Sequence, residues 1–500
     1  MSAKASFVAL DLGADSGRAI SGAFDGERLT IAEAHRFRNR PVRVRDSLHW
    51  DLLGLYAGIE DGLAAHVAQH GPDLRAIGLD TWGVDFALLA ADDTLAGLPY
   101  HYRDRRTEGM MEAALERVSR EELFAWTGVQ FLSINTLYQL LALRRANAAS
   151  LRSATSLLMM PDLFNFWLSG IKVSEWTIAS TTQMCDVRER AWSRPLLEAL
   201  DLPSDILQPI VAPGAVLGPL LPTVAARVGV KRAGEPVQVV APACHDTGSA
   251  VVAVPATMPG FAYISSGTWS LVGAETRAPV LGPTALRHNF TNEGGVEGTY
   301  RLLKNISGLW LLQECRRSWL RAGNEWTYDE LINRARSAPP FGPLVDPNCA
   351  VFVAPDDMPS AIRERCRETS QAIPTDEGQM VRCTLESLAL AYRTILEELA
   401  EVLGAPADAI HIVGGGSQNE LLCQFTADAC GMQVVAGPVE ATAMGNLLVQ
   451  MSSMGLLGSL AEMREVVRRS VTVRRYEPQD QAAWDEAYGR FKQIIDRTDG

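Results

Sequence analysis

Carboxylates follow two apolar runs of the chain, and residues of this type in this position suit phosphoryl chemistry. Asp11 comes directly after the run at residues 8–10, and Asp246 follows the run at residues 237–243. A carboxylate at the end of a strand can accept the proton of an attacking hydroxyl or hold Mg²⁺ through water. An Asp in this position caps a helix more often than it acts as a base, so the sequence around Asp246 alone leaves both roles open.

Two turns of small residues stand half of the 500-residue chain apart and resemble each other. The first contains Ser16-Gly17, and the second contains Ser266-Gly267. Glycine lets the backbone approach a phosphate closely, and turn amides form a concavity that binds anions. Either turn alone could be an ordinary hairpin turn. The pair favours two similar domains that present backbone amides to one nucleotide.

A glycine triplet at residues 414–416 follows the strand-like run at residues 410–413 and precedes a helical segment. Such a turn can bring a helix N-terminus against a ribose or a phosphate, although a mere tight turn is at least as common. The chain has no Gly-x-x-x-x-Gly-Lys-Ser/Thr motif and no Gly-x-Gly-x-x-Gly motif that opens a Rossmann unit. A P-loop NTPase is therefore excluded, and a Rossmann unit is not indicated.

Strand-like and helical runs alternate, which predicts an α/β architecture. Residues 7–24 and 29–37 read as consecutive strands. Asp51 can cap a helix that Gly71-Pro72 ends. The apolar stripe of this helix comprises Leu52, Tyr56, Ile59, Leu63 and Val67. Residues 203–222 hold five prolines and predict an ordered loop on the first domain. The final 40 residues are expected to be helical and to cover the second domain.

Length and charge limit the classes of protein. Five hundred residues exceed a single core and fit two domains, predicted at 1–254 and 255–500 with C-terminal helices from about residue 455. A net charge of −13 argues against a nucleic-acid partner. No apolar run is long enough to span a membrane. We expect no signal peptide and, with eight cysteines and no Cys-x-x-Cys, reduced thiols in the cytoplasm.

Taken together, these segments resemble the FGGY carbohydrate kinases, and within that family the members that phosphorylate L-rhamnulose. The resemblance runs along nearly the whole chain, with the segments in the order of the family. The segments that carry it are Asp11–Ala14, Ser16–Arg18, Ile77–Phe86, Tyr102–Asp104, Asn135–Gln139, His245–Thr247, Ser265–Ser270, Thr291–Gly295, Lys304-Asn305, Gly308–Gln313, Val413–Gly416 and Gly437–Glu440.

The resemblance implies an α/β fold of two ribonuclease-H-like domains, of the actin and sugar kinase ATPase type, with a central cleft. It implies ATP-dependent phosphorylation of L-rhamnulose on its first-carbon hydroxyl, with Mg²⁺ accompanying ATP, by a monomer or homodimer. Another ketose such as L-fuculose or L-xylulose is the alternative substrate. An actin-like or chaperone-like ATPase would share the paired turns, and an inactive sugar sensor is disfavoured by the intact segment His245–Thr247.

The resemblance also assigns roles to individual residues. Asp246 is expected to be the general base, and Asp11 is expected to organise magnesium through water. The implied sugar-binding positions are Gly83, His245, Asp246, Thr247 and Asn305. The implied ATP-binding positions are Ala14, Asp15, Ser16, Gly17, Arg18, Thr268, Gln313 and Gly415.

Two residues depart from the family pattern, and one aromatic residue is a further candidate. Asp15 stands where relatives usually carry a small residue, so its side chain is expected to point outward while its amide binds. Gly248 replaces the usual Ala. Trp82, beside Gly83, is the best candidate among the tryptophans to stack on a sugar.

Overall fold

The computed structural model describes residues 5–231, 235–353 and 355–496. They form two compact units that interleave along the chain. The first unit comprises Met1–Pro255, Glu275–Leu302 and Ala441–Val471, and the second comprises Ala256–Ala274, Leu303–Glu440 and Thr472–Gly500. The assignment of 1–254 and 255–500 as functional domains stays a prediction.

Strands occur in both units. They are β1 (Ala5–Leu12), β2 (Ser16–Phe24), β3 (Leu29–Arg38), β4 (Pro41–Val44), β5 (Ser47–Trp50), β6 (Ala76–Thr81), β7 (Phe86–Leu89), β8 (Ser156–Met159), β9 (Ser174–Glu175), β10 (Cys185–Asp186), β11 (Ala191–Trp192), β12 (Ile210–Val211), β13 (Ala215–Pro219), β14 (Gln238–Ala241), β15 (Ala262–Ser266), β16 (Trp269–Thr276), β17 (Thr291–Gly294), β18 (Tyr300–Ser307), β19 (Ile410–Val413), β20 (Val434–Ala436) and β21 (Arg474–Tyr476).

Helices alternate with these strands. They are α1 (Leu52–His70), α2 (Met110–Leu115), α3 (Arg120–Thr127), α4 (Thr136–Arg145), α5 (Ala149–Ser153), α6 (Met160–Ser169), α7 (Trp176–Ala179), α8 (Arg194–Ala199), α9 (Pro222–Val228), α10 (Asp246–Val252), α11 (Pro283–Arg287), α12 (Trp310–Arg321), α13 (Tyr328–Ser337), α14 (Met358–Glu368), α15 (Glu377–Leu403), α16 (Glu420–Cys430), α17 (Ala441–Ser453), α18 (Leu460–Ser470) and α19 (Gln481–Asp496). None of these helices, within the residues described, is long and apolar enough to cross a membrane.

The first unit is built on a mixed sheet whose strands follow the order β13-β14-β6-β1-β2-β3. β1 runs antiparallel to β2 and parallel to β6, and β14 runs parallel to β6. The two parallel strands β1 and β6 are buried almost throughout, as expected when helices cover both faces of a sheet. Their carboxyl ends therefore meet at one edge, where a ligand can bind.

Local signals in the sequence set the bounds of α1. The Asp51 carboxylate accepts the amide of Gly54, and Gly71 ends the helix, as predicted. The expected apolar stripe is confirmed at Leu52, Ile59 and Leu63. Tyr56 and Val67 are only half-buried, because the buried face is shifted toward Leu55 and His66.

The second unit repeats the arrangement of the first strands. β15 runs antiparallel to β16 and parallel to β19, and β19 pairs in turn with β20. The strand predicted at residues 410–413 is confirmed as β19. The long helix α15 ends at Gly404, which has the left-handed conformation that glycine adopts without strain.

Two expectations for secondary structure were wrong. Part of the proline-rich segment forms the strand β13 instead of a loop. This strand lies at the edge of the first sheet, where Pro219 is tolerated although it has no amide hydrogen to donate. The last part of the chain contains the short strand β21 as well as helices, and α18 belongs to the first compact unit.

Candidate active site

Three carboxylates lie at the carboxyl ends of neighbouring strands in the first unit. The pairing of β1 with β6 places Asp11 opposite Asp80. Beyond β14, the amide of Thr81 donates to the carbonyl oxygen of Cys244 over 2.9 Å, so the segment leaving β14 runs beside the end of β6. Asp246 begins α10 directly after this segment. The three acids therefore share the edge at which α/β sheets bind ligands.

Burial raises the pKa of two of these carboxylates, Asp80 and Asp246. Burial raises the pKa of Asp80 well above its ordinary value, and the nearby charge of Asp11 adds to the rise. Asn446 opposes it by donating to Asp80 Oδ2 over 2.6 Å. Asp246 keeps 31% of its side-chain surface exposed, yet loss of water around it raises its pKa; His245 opposes this rise and Asp11 adds to it. A carboxylate with a raised pKa is a stronger proton acceptor.

The oxygen atoms at this edge fit a divalent cation. Asp11 forms an ion pair with Arg18 on the neighbouring strand β2. No group of three or more His, Cys, Asp or Glu side chains among the described residues is arranged to hold a metal by itself. Mg²⁺ usually takes one or two carboxylates and fills its remaining positions with phosphate oxygens and water. The donor set therefore fits magnesium that arrives with a phosphate ligand.

The turn between β1 and β2 is held by backbone contacts and by one side chain. The amide of Gly13 donates to the carbonyl oxygen of Ser16 over 3.0 Å. Asn39 spans the turn, because its side chain donates to Gly13 O over 2.9 Å and its amide donates to Asp15 O over 3.2 Å. Ala14 and Ser16 are half-buried, while the side chain of Asp15 is exposed, in agreement with the expectation that it points outward.

Gly17 has a packing role that the sequence did not indicate. A Cβ atom at this position would lie 2.3 Å from the ring of Phe37 on β3. A larger residue would therefore have to displace the Phe37 ring, whether or not a phosphate approaches the turn. Arg18, the next residue, is half-buried and turned toward Asp11.

The predicted sugar-binding positions of the first unit lie together. A Cβ atom at Gly83 would be 3.4 Å from His245 Nε2, so the two residues are neighbours. His245 Nε2 lies 3.4 Å from Asp246 Oδ1. The amide and hydroxyl of Thr247 both donate to the same oxygen, over 2.5 and 3.1 Å, which fixes the orientation of the Asp246 carboxylate.

A buried glutamate anchors the segment that carries Asp246. Glu175 accepts the amide of Cys244 over 3.1 Å, the amide of Thr177 over 2.9 Å and the hydroxyl of Thr177 over 2.5 Å. The Thr177 hydroxyl in turn accepts the amide of His245 over 3.1 Å. Burial raises the pKa of Glu175 to about 7, although these hydrogen bonds lower it. The backbone before Asp246 is therefore held by two side chains.

Trp82 is buried, so the expectation that it contacts a sugar was wrong. Only 5% of its surface is exposed, and its ring lies 4.0 Å from that of Trp50. Both indole nitrogens donate to Asp85, over 2.6 and 3.0 Å, and Gln139 donates to the other oxygen of that carboxylate. The two tryptophans therefore pack against each other in the core, where Asp85 accepts a hydrogen bond from each.

The predicted nucleotide positions of the second unit surround the turn between β15 and β16. The carbonyl oxygen of Thr268 accepts the amide of Gly308 over 3.0 Å. Gln313 lies in the first turn of the helix that follows, and its Oε1 atom is buried without a hydrogen-bond partner in the described part of the chain. Gly415 is exposed next to Gly416, which packs on Ser266. Asn305 lies on β18, three residues before Gly308.

Several residues of the site were missed from the sequence. Asp80 ends an apolar run as Asp11 does, so the same signal could have identified it. The buried residues Glu175 and Asn446 carry no comparable local signal. Their roles depend on contacts with residues far away in the chain, such as the 366 positions between Asn446 and Asp80.

Family models match most of the chain. The model described as the FGGY family of carbohydrate kinases, N-terminal domain, matches residues 6–253, and its C-terminal counterpart matches residues 262–454. Rhamnulokinase from Bacteroides thetaiotaomicron is 47% identical over 98% of this chain and 100% of its own length. Rhamnulokinase from Pectobacterium atrosepticum is 42% identical over 97% of this chain and 96% of its own.

Solved structures share the fold at low sequence identity. Gluconate kinase from Lactobacillus acidophilus superposes with a TM-score of 0.81 at 15% identity, over 99% of this chain and 98% of that one. Ligand-bound xylulose kinase from the same organism gives a TM-score of 0.80 at 16% identity, over 98% of both chains. The expected two-domain α/β fold of the actin and sugar kinase type is thereby confirmed.

Proposed function

The chain belongs to the FGGY family of carbohydrate kinases, and from that premise we propose that it transfers the terminal phosphoryl group of ATP to the first-carbon hydroxyl of L-rhamnulose. The product is L-rhamnulose 1-phosphate. The observation that carries the proposal is the 47% identity to a rhamnulokinase over 98% of this chain and the full length of that relative. The reaction is a phosphoryl transfer, in which the protein mainly positions the reactants and stabilises charge.

Asp246 is proposed as the general base. Thr247 fixes the orientation of its carboxylate, and part of the side chain is exposed. Loss of water around the carboxylate raises its pKa. These properties support removal of the proton from the sugar hydroxyl as that oxygen attacks phosphorus. Gly83, His245, Thr247 and Asn305 are proposed as sugar contacts, since they match the positions of the family motif.

Asp11 is proposed to hold magnesium through water, beside the phosphates. The cation would supply charge neutralisation at the transferring phosphoryl group. The turn residues Ala14, Asp15, Ser16, Gly17 and Arg18 are proposed to bind phosphate through backbone amides and the Arg18 guanidinium. Thr268, Gln313 and Gly415 are proposed as nucleotide contacts in the second unit. A cytoplasmic location and the choice between monomer and homodimer stay predictions.

A ketose panel tests the substrate. ADP release from ATP and Mg²⁺ is measured with L-rhamnulose, L-fuculose or L-xylulose and without sugar. We expect the highest kcat/KM with L-rhamnulose, by about 10–200-fold if one pocket contact distinguishes the ketoses. A higher kcat/KM with another ketose would identify that ketose, instead of L-rhamnulose, as the preferred substrate. ATP hydrolysis at an equal rate without any sugar would instead support an ATPase that does not act on sugars.

A further inference from the structure

The ring of His245 has charged neighbours on both nitrogens, all within the first unit. Nε2 faces Asp246, as described above. Nδ1 lies 3.1 Å from Arg301 Nη2 and 3.0 Å from Glu293 Oε2. The same guanidinium nitrogen lies 3.1 Å from Glu293 Oε2. One side of the imidazole thus rests on an ion pair, while the other side faces the proposed base.

Arg301 is unusual because a guanidinium is rarely buried completely. No part of Arg301 is exposed, and only 4% of Glu293 is exposed. The two residues lie on the neighbouring strands β18 and β17, and Arg301 Nε also donates to the carbonyl oxygen of Gly294 over 2.8 Å. Burial of a charge is costly even when it is paired. This buried pair contacts His245, so its effect on the site can be derived from those contacts.

Of the two groups beside Nδ1, Arg301 can only donate a hydrogen bond and Glu293 can accept one, so the contact with Arg301 favours a ring proton on Nε2. A guanidinium has donors only and stays protonated in proteins. Where Arg301 donates to Nδ1, that nitrogen must be an acceptor, so the proton of the neutral ring is on Nε2. We infer that Arg301 and Glu293 are positioning residues that hold His245 as the Nε2–H tautomer and aim this donor at Asp246 and at the sugar position beside Gly83.

This tautomer has a consequence for the reaction. An Nε2–H group beside Asp246 can donate to its carboxylate before sugar binds, or to a sugar oxygen placed next to Gly83. With the proton on Nδ1, the ring would present an acceptor to the Asp246 carboxylate, and the lone pairs would repel. With the proton on Nε2, the Nδ1 lone pair faces Arg301 Nη2 as its donor, and the same guanidinium offsets the charge of the nearby Glu293 carboxylate. The kinetic part of the inference rests on the proposed function, whereas the tautomer is defined without any substrate.

Nuclear magnetic resonance of the protein labelled with ¹⁵N-histidine tests the tautomer directly. Two-bond ¹H–¹⁵N correlations distinguish a protonated ring nitrogen from an unprotonated one, and His245→Gln identifies the signal among the eight histidines. The expected wild-type pattern is a protonated Nε2 and an unprotonated Nδ1. A protonated Nδ1 donating to Glu293 would overturn the inference.

The variant Arg301→Met tests the positioning role. Loss of the donor should move the proton to Nδ1, where Glu293 accepts it, and should lower kcat/KM for the sugar about 10²-fold, the scale of a small misplacement in a catalytic site. Arg301→Lys, which keeps a charged donor, should restore part of kcat/KM. The dissociation constant for ADP, measured by calorimetry, should not change, whereas a general structural defect would alter it as well.

Arg382→Met is the matched control, because Arg382 forms a buried ion pair with Glu386 in the second unit. It should leave the His245 signals unchanged. If Arg301→Met keeps both the Nε2–H pattern and the wild-type kcat/KM, Arg301 has no positioning role. If the wild-type protein phosphorylates none of the ketoses, the proposed function fails, while the spectrum still decides the tautomer.

Discussion

The two hairpins of the molecule share a backbone plan but differ in what surrounds their turns. In each, the first strand runs antiparallel to the next one and parallel to a later strand: β1 with β2 and β6, β15 with β16 and β19. The first hairpin carries Asp11, paired with Arg18 and opposite Asp80. The turn of the second is instead packed by the backbone of glycines 308 and 416.

From this contrast we expect the two hairpins to have different roles. The first lies next to acidic groups that can accept a proton or bind a cation. The second has uncharged residues at its turn and the exposed Gly415 close by, which suit a nucleotide held by shape and amide contacts. Changes near the first should alter turnover most, and changes at the second should alter nucleotide affinity most.

The largest expected effect comes from Asp246→Asn. The amide cannot accept the sugar proton, so kcat should fall by about 10²–10⁴-fold, the usual contribution of general-base catalysis. Nucleotide affinity should stay near that of the wild type, and calorimetry with ADP checks this. Thr268→Ala at the second hairpin is the matched comparison and should mainly raise KM for ATP. Near-normal turnover of Asp246→Asn would remove Asp246 from the role of base.

Glu175 is a fully buried acid in the core of the first unit. Its folded-state pKa of about 7 exceeds the ordinary value of 4.5, so the folded state favours the protonated form. Stability should therefore decrease as pH rises from about 4.5 to 7, by at most about 3 kcal/mol. Glu175→Gln cannot ionise, so its free energy of unfolding should depend less on pH in this window. Urea denaturation at several pH values compares the two proteins, and parallel curves would contradict the predicted pKa.

Gly308→Ala tests the packing of the second hairpin. A Cβ atom there would lie 2.6 Å from the carbonyl carbon of Trp269 and 2.7 Å from the carbonyl oxygen of Gly267, and these backbone atoms cannot rotate away. We expect a loss of about 1–3 kcal/mol of stability, as for other overpacked sites, and weaker ADP binding.

Gly415→Ala separates stability from binding at the same hairpin. A Cβ at this position would meet nothing within 4 Å in the described structure, so the melting temperature should not change. Weaker ADP binding at unchanged stability would support Gly415 as a nucleotide contact. Unchanged binding would remove it from the proposed nucleotide site.

Local features of the site could be predicted from the sequence, because they depend on residues close together in the chain. Asp51 and Gly71 mark the ends of α1, and the triplet at residues 414–416 forms the expected turn after β19. The clustering of Gly83 with His245 followed only from the resemblance to a family, since no local pattern joins residues so far apart.

Buried partners of the site could not be predicted, because their environment exists only in the folded chain. Arg301 is a charged residue in a strand, which the sequence alone would place at the surface. The expectation for Trp82 was wrong in the opposite sense, because it placed a buried residue at the surface of the site. An aromatic residue next to a glycine turn can either line a site or pack in the core. The choice was decided by Asp85, which accepts both indole groups.

The last comparison concerns Gly17, where packing and the proposed phosphate binding would both favour glycine. Gly17→Ala places a Cβ against the Phe37 ring and should cost about 1–3 kcal/mol of stability. The double variant Gly17→Ala/Phe37→Leu removes the clash and should recover most of that stability. If ADP binding recovers with it, the glycine serves packing, and the first hairpin binds nucleotide less closely than the second. If ADP binding stays weak in the stable double variant, both turns approach the phosphates through their backbone.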